Sequence, residues 1–276
     1  PRVFGPEPVD YADRKLHGCL QMIFRRNYPD LVWLLVASEL KQRYSGSILG
    51  ILWVLVKPLF LFAVLNFVFS RIFSFQDPLY PIKLLTGIVL WNLFSEASML
   101  SLTSLVARAN LITRAAVPLP TFIVSGAISA AINFFFNLVI LFVFASFYAG
   151  FPGAGEAAML LFAAGAVLAL AVVVGLFLSP LFVRYRDMNQ IWEVVLTAGF
   201  YFTPIIYPIT LIPEKYRALA VLNPLTYIVA FAQSVIAREP FTGQAELAWS
   251  ISIILGAFIL ATASFRVSAR RVAERL

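Results

Sequence analysis

Six apolar runs, each long enough to cross a bilayer, constrain this chain more than any other feature of its sequence. They extend roughly over residues 48–72, 82–105, 120–148, 157–182, 191–207 and 248–265. About 17 to 25 apolar residues suffice for a helix to cross the hydrocarbon core of a membrane. In lipid every backbone polar group needs a partner within the protein, so helices are the only spanning elements that fit such runs. The pattern predicts an all-α polytopic membrane protein with six transmembrane helices.

The composition excludes several other classes of protein. Hydrophobic residues make up 61% of the chain and charged residues 13%, whereas a soluble domain is about half apolar and a quarter charged. The net charge is +7, but the basic residues are scattered between apolar runs rather than gathered in a stripe, so no nucleic-acid partner is expected. One histidine, His17, and one cysteine, Cys19, exclude a disulfide framework and a metal site built from several such ligands in one chain.

The charge pattern also predicts the topology. Basic residues are more frequent in the loops on the side of Arg43, Arg108, Arg184 and Arg266 than on the side of Lys83. Since such residues favour the cytoplasmic side, both termini are expected in the cytoplasm, which agrees with an even number of spans. We divide the chain into an N-terminal cytoplasmic or interfacial segment (1–46), a transmembrane domain (47–268) and a cytoplasmic tail (269–276).

The segment before the first run has a helical pattern of its own. Residues 28–44 predict an amphipathic helix lying in the membrane interface, with Leu31, Leu34, Leu35 and Ser38 on one face and Glu39 and Lys41 towards water. It carries too many charges to span the bilayer.

Prolines interrupt the chain between the fifth and sixth runs. Pro204 and Pro208 each remove a backbone donor and end the fifth run, and Asn223-Pro224 predicts a helix start. The apolar helix that follows, of about 13 residues, would be roughly 20 Å long, too short to span a core of about 30 Å. We therefore predict a re-entrant helix pair within residues 208–240, and we expect Pro204, Pro208, Asn223 and Pro224 to form a gate. A pair lying on the membrane surface is the alternative.

The segment 38–58, SELKQRYSGSILGILWVLVKP, passes from a charged helix through a Gly/Ser break into the first apolar run. Charge and hydropathy alone are explained by a segment that anchors the chain at the membrane surface before the first apolar run. However, Leu40-Lys41-x-Arg43-Tyr44-x-Gly46-Ser47-x-Leu49-Gly50-x-x-Trp53, followed by Pro58, resembles the substrate-access motif in the permease subunits of polysaccharide ABC exporters. These are the type-II exporters of O-antigen, capsule and wall teichoic acid.

The resemblance implies a fold, a function and partners. The chain would be the six-helix membrane subunit of an ATP-driven exporter in the bacterial inner or cytoplasmic membrane, working as a homodimer with two copies of a separate ATPase. Its substrate would be a lipid-linked glycan or teichoic-acid polymer. No lysine in the sequence follows a glycine, so the phosphate-binding loop of ATPases is missing. We therefore expect ATP and Mg²⁺ to bind the partner chain and this chain to be a transport subunit, with no catalytic residues and no cofactor.

The resemblance also assigns roles to particular residues, each with a structural alternative. At the access site, five residues are expected to attract the substrate phosphate: Lys41, Arg43, Tyr44, Trp53 and Lys57. The alternative is that the basic residues among them anchor the chain to anionic lipid. The aromatic residues expected to line a conduit for glycan, or else to face lipid or core, are Phe60, Phe67, Trp192, Phe200, Tyr201 and Phe202. Five residues of the loop between the second and third runs are expected to couple the chain to the ATPase: Arg108, Asn110, Leu111, Ile112 and Arg114. The alternative is that the basic residues of this loop only determine the topology. Arg186 and Asp187 are expected to orient a loop, or simply to be solvated.

Polar residues inside the apolar runs are a further signal of function. Glu96, with Asn92 one turn before it, lies within the second run, and Asn66 and Asn133 lie within the first and third. A helix–helix hydrogen bond is the main expectation for Glu96, with a proton relay as the alternative.

Three other classes of protein were compared with this pattern. A polyprenyl-phosphate enzyme would need convergent acidic residues, and a secondary transporter usually shows two matched halves; neither feature is found. An exporter of small lipids or drugs with the same fold remains the nearest alternative.

Overall fold

The computed structural model describes residues 28–46, 50–72, 77–114 and 117–273. His17, Cys19, the first 27 residues of the predicted N-terminal segment and residues 274–276 of the predicted C-terminal tail lie outside these ranges. The described residues contain helices and connecting turns and no strand. The helices are α1 (Tyr28–Tyr44), α2 (Trp53–Phe67), α3 (Tyr80–Ala107), α4 (Ala109–Arg114), α5 (Pro120–Tyr148), α6 (Ala154–Arg184), α7 (Met188–Phe202), α8 (Glu214–Leu222), α9 (Pro224–Ala237) and α10 (Gln244–Ala273).

Five helical segments in the described chain are long and apolar enough to cross a membrane. They are Gly50–Ser70, which contains α2 and its flanking turns, Tyr80–Ala107, Pro120–Tyr148, Ala154–Arg184 and Gln244–Ser268. Each coincides with one of the six predicted runs. The prediction of an all-α polytopic membrane protein is confirmed.

The remaining predicted run, 191–207, is helical only in its first part. Helix α7 ends at Phe202 after 15 residues, about 22 Å of helix, and an irregular segment with Pro204 follows. Thr203 to Ile206 are all buried, and the Tyr80 hydroxyl donates a hydrogen bond to the carbonyl of Ile206 at 2.9 Å. Irregular backbone at membrane depth is tolerated where protein covers it. The run therefore continues towards the Tyr80 end of α3 as a short helix and a buried extension, because proline cannot continue the helix.

Helices α8 and α9 form the bent pair that the prolines and Asn223 predicted. They meet at 96°, and the side chain of Asn223 caps α9 by accepting from the amide of Leu225 at 3.1 Å. Asn223 also donates to the hydroxyl of Thr203 at 2.9 Å, next to the buried break. Several apolar residues of α9 are buried against the bundle: Leu225, Ile228, Val229, Ala232 and Ile236. This burial disfavours the alternative of a pair lying on the membrane surface.

The centre of the bundle depends on small residues that let three helices approach closely. A Cβ added to Gly126 of α5 would lie 2.9 Å from the backbone of Leu100, and one added to Gly175 of α6 would lie 2.4 Å from the Cβ of Ser101. The Ser101 hydroxyl donates to the carbonyl of Ile123 at 3.1 Å. Close packing of this kind stabilises helix association in membranes, where the hydrophobic effect between helices is absent.

Helix α1 begins and ends where the sequence predicted, but its buried face is different. Leu31 and Leu35 are buried as expected, whereas Leu34 is 48% exposed and Glu39, expected to face water, is half-buried. The reason is that α1 packs against α5, so protein covers part of the face predicted to be polar.

A hydrophobic cluster, here called the α1 cluster, joins α1 to the end of α10. It contains Leu31, Leu35, Leu105, Phe122 and Phe265, among others. The N-terminal helix and the last turns of α10 therefore lie at the same end of the bundle.

Candidate functional site

A cavity of about 1000 Å³ lies where the end of α1 meets α2, α3, α5 and α7. It brings together six residues that the sequence analysis assigned to the access site or the conduit: Arg43, Tyr44, Trp53, Lys57, Phe200 and Tyr201. Polar residues of α3 and α5 complete its wall: Asn92, Ser95, Glu96, Asn133 and Asn137. One cavity thus contains basic, amide and aromatic groups from five separate segments of the chain.

A hydrogen-bonded network joins α1 to α3 and α5 at the cavity wall. The guanidinium of Arg43 forms an ion pair with the carboxylate of Glu96. Asn133 donates to the same carboxylate oxygen at 2.5 Å, and the Tyr44 hydroxyl donates to the side-chain oxygen of Asn133 at 3.1 Å. The contact with Asn133 is the helix–helix hydrogen bond expected for Glu96. The sequence analysis did not anticipate Arg43 as its second partner.

Lys57 faces the cavity from α2, immediately before the helix-interior Pro58. Its side chain is exposed, and it forms no ion pair with any carboxylate in the described part of the chain. The cavity therefore presents one basic group that is paired and one that has no acidic partner among the described residues.

Aromatic rings form the opposite part of the wall. The rings of Trp91 and Phe200 have centroids 6.0 Å apart, and those of Phe200 and Tyr201 are 5.4 Å apart. A Cβ at Gly199 would lie 2.9 Å from the Trp91 ring, so glycine allows this ring to pack against α7. The sequence analysis did not single out Trp91, and its position one turn before Ser95, the neighbour of Glu96, is the only signal that the sequence offers for it.

Five predicted residues do not line this cavity. Phe60, Phe67 and Phe202 are 71%, 62% and 78% exposed on the outside of the chain, and Lys41 is exposed on α1. Trp192 packs against the ring of Phe94 and donates to the Ser98 hydroxyl at 3.0 Å. Their assignment to a conduit or to phosphate attraction stays a prediction.

The comparisons with known proteins agree on one family. The profile of the ABC-2 type transporter family matches residues 30–236, which is most of the chain and includes every cavity-lining segment. The chain belongs to the ABC-2 type transporter family. This confirms, at the level of the family, the resemblance carried by the motif that ends in Trp53 and Pro58.

The relatives of this ABC-2 transporter carry related names. The chain is similar to the O-antigen export system permease protein RfbA of Klebsiella pneumoniae, with 29% identity over 201 residues, 72% of this chain and 77% of the relative. It is 28% identical to RfbA of Myxococcus xanthus over 212 residues, covering 75% and 80% of the two chains. It is 22% identical to the polysialic acid transport protein KpsM of Escherichia coli over 207 residues, covering 73% and 79%.

In this ABC-2 transporter a second polar network lies beside the short helix α4. Arg108 donates to the carbonyl of Leu35 at 3.0 Å and lies 3.5 Å from the carboxylate of Glu39, which also accepts from Ser129 at 3.3 Å. Burial raises the pKa of Glu39 above its ordinary value, although the charges of Arg108 and Arg43 and the Ser129 hydrogen bond oppose that rise. Arg108 thus points towards α1.

The predicted coupling segment forms α4, which ends at Arg114. Leu111 and Ile112 are half-buried against the α1 cluster, and Asn110 is exposed. The loop sequence gives no sign of this orientation. Asn110 is therefore more accessible than the apolar pair, and the coupling role of this segment stays a prediction.

The loop before α7 contains Arg186 and Asp187, and both are exposed. The Arg186 guanidinium lies over the ring of Phe182, 5.6 Å from its centroid, and the carbonyl of Asp187 accepts from Ile191 at 3.0 Å in the first turn of α7. These contacts are of the kind that would orient the loop, the role that the sequence analysis favoured.

The gate segment is held at its far end by ion pairs that the sequence analysis missed. Pro204 is buried in the break after α7 and Pro208 is exposed, while Pro224 occupies the first turn of α9 after Asn223. At the end of α9, Glu239 binds Lys83 at 2.7 Å and Arg238 binds Glu156 at 2.9 Å. The start of α9 is thus joined to the break at Thr203, and the residue that follows its C-cap is joined to Lys83 of α3.

Proposed function

We propose that this chain is the membrane subunit of an ATP-driven exporter that moves a lipid-linked polysaccharide from the cytoplasmic side across the bacterial inner membrane. Its similarity to O-antigen export permeases and to a polysialic acid transport protein supports the polysaccharide. The single observation that carries the mechanism is the cavity that joins Arg43, Tyr44, Trp53 and Lys57 of the access motif with the aromatic residues of α7.

The cavity has the chemistry that a phosphate attached to sugar requires. A guanidinium binds two phosphate oxygens at once through its planar donor fork, and an ammonium binds as a compact charge. Sugars bind aromatic rings through their apolar faces, and Trp53, which is 43% exposed, offers such a ring at the cavity, whereas Trp91 and Phe200 are largely buried in its wall. We assign phosphate binding to Arg43 and Lys57 and sugar contact to Trp53.

The transport step needs partners that supply energy and complete the pathway. We assign ATP and Mg²⁺ to two copies of a separate ABC ATPase docked on α4, because the sequence contains no phosphate-binding loop. We assign the exposed aromatic faces of α2 and α7, which include Phe60, Phe67 and Phe202, to the contact with a second copy of this chain. A conduit between two copies would make use of rings that one chain leaves exposed.

The distribution of basic residues supports an orientation with both termini in the cytoplasm. Arg108 follows α3 at the end of the bundle that also holds the end of α10, since Leu31, Leu105 and Phe265 share the α1 cluster. Since basic residues favour the cytoplasmic side, we assign this end of the bundle to the cytoplasm, the side from which a carrier lipid would be loaded.

The test compares charge with hydrogen-bonding geometry at position 43. The chain is reconstituted with its ATPase, and polymer export and substrate-stimulated ATP hydrolysis are measured for wild type, Arg43→Lys and Arg43→Ala. Attraction to anionic lipid is worth about 1 kcal/mol per basic residue and does not distinguish Lys from Arg. If Arg43 binds phosphate through its fork, Arg43→Lys impairs both activities while insertion is unchanged. Wild-type activity of Arg43→Lys in both assays would reduce Arg43 to a membrane anchor.

The same preparation tests the alternative of an exporter of small lipids. A carrier lipid that bears no glycan serves as the second substrate. Stimulation of ATP hydrolysis by this lipid equal to that by the glycan-bearing form would favour the alternative.

A further inference from the structure

In the structure the carboxylate of Glu96 binds the guanidinium of Arg43. The proposed function assigns the same guanidinium to the phosphate of the substrate. Asn133 donates to the same carboxylate oxygen and is itself held by the Tyr44 hydroxyl. Asn133, itself fixed by Tyr44, therefore orients the carboxylate of Glu96 that pairs with Arg43. A ligand phosphate reaches the guanidinium only in competition with Glu96.

The pair is partly open to the cavity, so that exchange is sterically feasible. The side chain of Arg43 is 39% exposed and that of Glu96 is 23% exposed. Both line the cavity together with Lys57 and a second acidic residue, Glu193. Glu193 forms no ion pair with another residue that the structure describes.

We propose that Glu96 is a resident counter-anion that reserves the cavity for lipid-linked diphosphates and rejects anionic phospholipids, whose phosphodiester headgroups carry one net negative charge. The inference rests on the proposed function, because it takes Arg43 and Lys57 to be the phosphate-binding groups. It adds a specificity-determining residue to that site.

The discrimination follows from charge. A phosphodiester carries one negative charge, as Glu96 does, so replacing the carboxylate gains little attraction and leaves Glu96 unpaired beside another anion. A diphosphate carries more charge and more oxygens, so it binds Arg43 and Lys57 together and offsets the loss of the native pair. Phospholipids greatly outnumber any carrier lipid beside the membrane-inserted helix α2, and a cavity without Glu96 would be occupied by them.

The experiment measures equilibrium binding of radiolabelled geranylgeranyl diphosphate, a polyprenyl diphosphate without sugar. The full chain is placed in nanodiscs of phosphatidylcholine, or of phosphatidylcholine and phosphatidylglycerol in equal amounts. The variants are Glu96→Gln and the matched control Glu193→Gln, which removes the same charge from the same cavity without releasing Arg43. Glu96→Gln keeps an oxygen that accepts from Asn133, and Glu96→Asp, which withdraws the carboxylate from Arg43, serves as a second variant.

Phosphatidylglycerol repels the anionic probe from every variant through the surface charge of the nanodisc, and the control measures this effect. After correction for this surface-charge repulsion, Glu96→Gln should bind the probe about fivefold more weakly in the anionic nanodiscs than in the neutral ones. Wild type should respond as Glu193→Gln does. An equal response of Glu96→Gln and Glu193→Gln would overturn the role of Glu96. The proposed phosphate site itself fails on a different result, namely wild-type affinity of Arg43→Ala in neutral nanodiscs.

Discussion

The close approach of three helices at Ser101 leads to a quantitative prediction about Gly175. An added Cβ would lie 2.4 Å from the Cβ of Ser101 and 2.9 Å from a methyl carbon of Ile123. Carbon atoms in contact prefer about 3.5 to 4.0 Å, so α6 would have to move by roughly 1 Å or more. Overpacking of this kind costs about 1 to 3 kcal/mol, and alanine returns about 1 kcal/mol through its higher helix propensity. We expect Gly175→Ala to lower the free energy of unfolding by up to about 2 kcal/mol.

Gly165 provides the matched control on the same helix. It is exposed, and a Cβ there would meet no atom within 4 Å. Gly165→Ala should therefore be neutral or stabilise the chain by up to about 1 kcal/mol. Unfolding of both variants in the same detergent, followed by loss of helical signal, gives the comparison. Equal stability of the two variants would refute the close packing of α6 against α3.

Three further predictions concern the ends of the bundle. Because burial raises the pKa of Glu39, the charged form is disfavoured in the folded chain, and stability is lost as pH rises from the ordinary value through the raised one. In thermal unfolding, Glu39→Gln should have the same stability as wild type in acid and a higher stability than wild type towards neutral pH. A stability difference between the two that decreases as pH rises would contradict this. Single cysteines at Lys215 and Arg238, in a Cys19→Ser background, should both react with an impermeant thiol reagent from outside the cell. Reaction of the Arg238 position from the cytoplasm alone would make the pair of α8 and α9 a span. Leu111→Glu and Ile112→Glu should uncouple ATP hydrolysis from transport in the reconstituted complex and, being half-buried, should also lower thermal stability; normal transport by both would remove α4 from the docking surface.

Hydropathy predicted most of this fold because the bilayer leaves the backbone few choices. The five long spans and the bounds of α1 follow from apolar length and from charge, and the break at Pro204 follows from the missing backbone donor. What hydropathy did not show is that the residues after α7 are buried. Their burial depends on contacts such as that of Tyr80 with Ile206, which join positions far apart in the chain.

The candidate site was predicted in part. The access motif names Arg43, Trp53 and Lys57, and all three line one cavity, while their roles in substrate binding stay a prediction. The pairing of Arg43 with Glu96 and the position of Trp91 depend on how α1 and α7 pack against α3, which periodicity within one helix does not encode. For the same reason, the sequence did not distinguish Phe200, which lines the cavity, from Phe202, which is exposed.

The most direct test of the central claim is whether the cavity contacts the lipid-linked substrate. A photo-crosslinking amino acid is placed at Trp53, on the cavity wall, or at Phe147 of α5, which is 81% exposed and does not line the cavity. Membranes that contain the partner ATPase and labelled lipid-linked glycan are then irradiated. We predict glycan attached to the chain from position 53, reduced by Arg43→Ala, and none above background from position 147. Equal labelling from both positions, or labelling from position 53 that is independent of Arg43, would contradict the account.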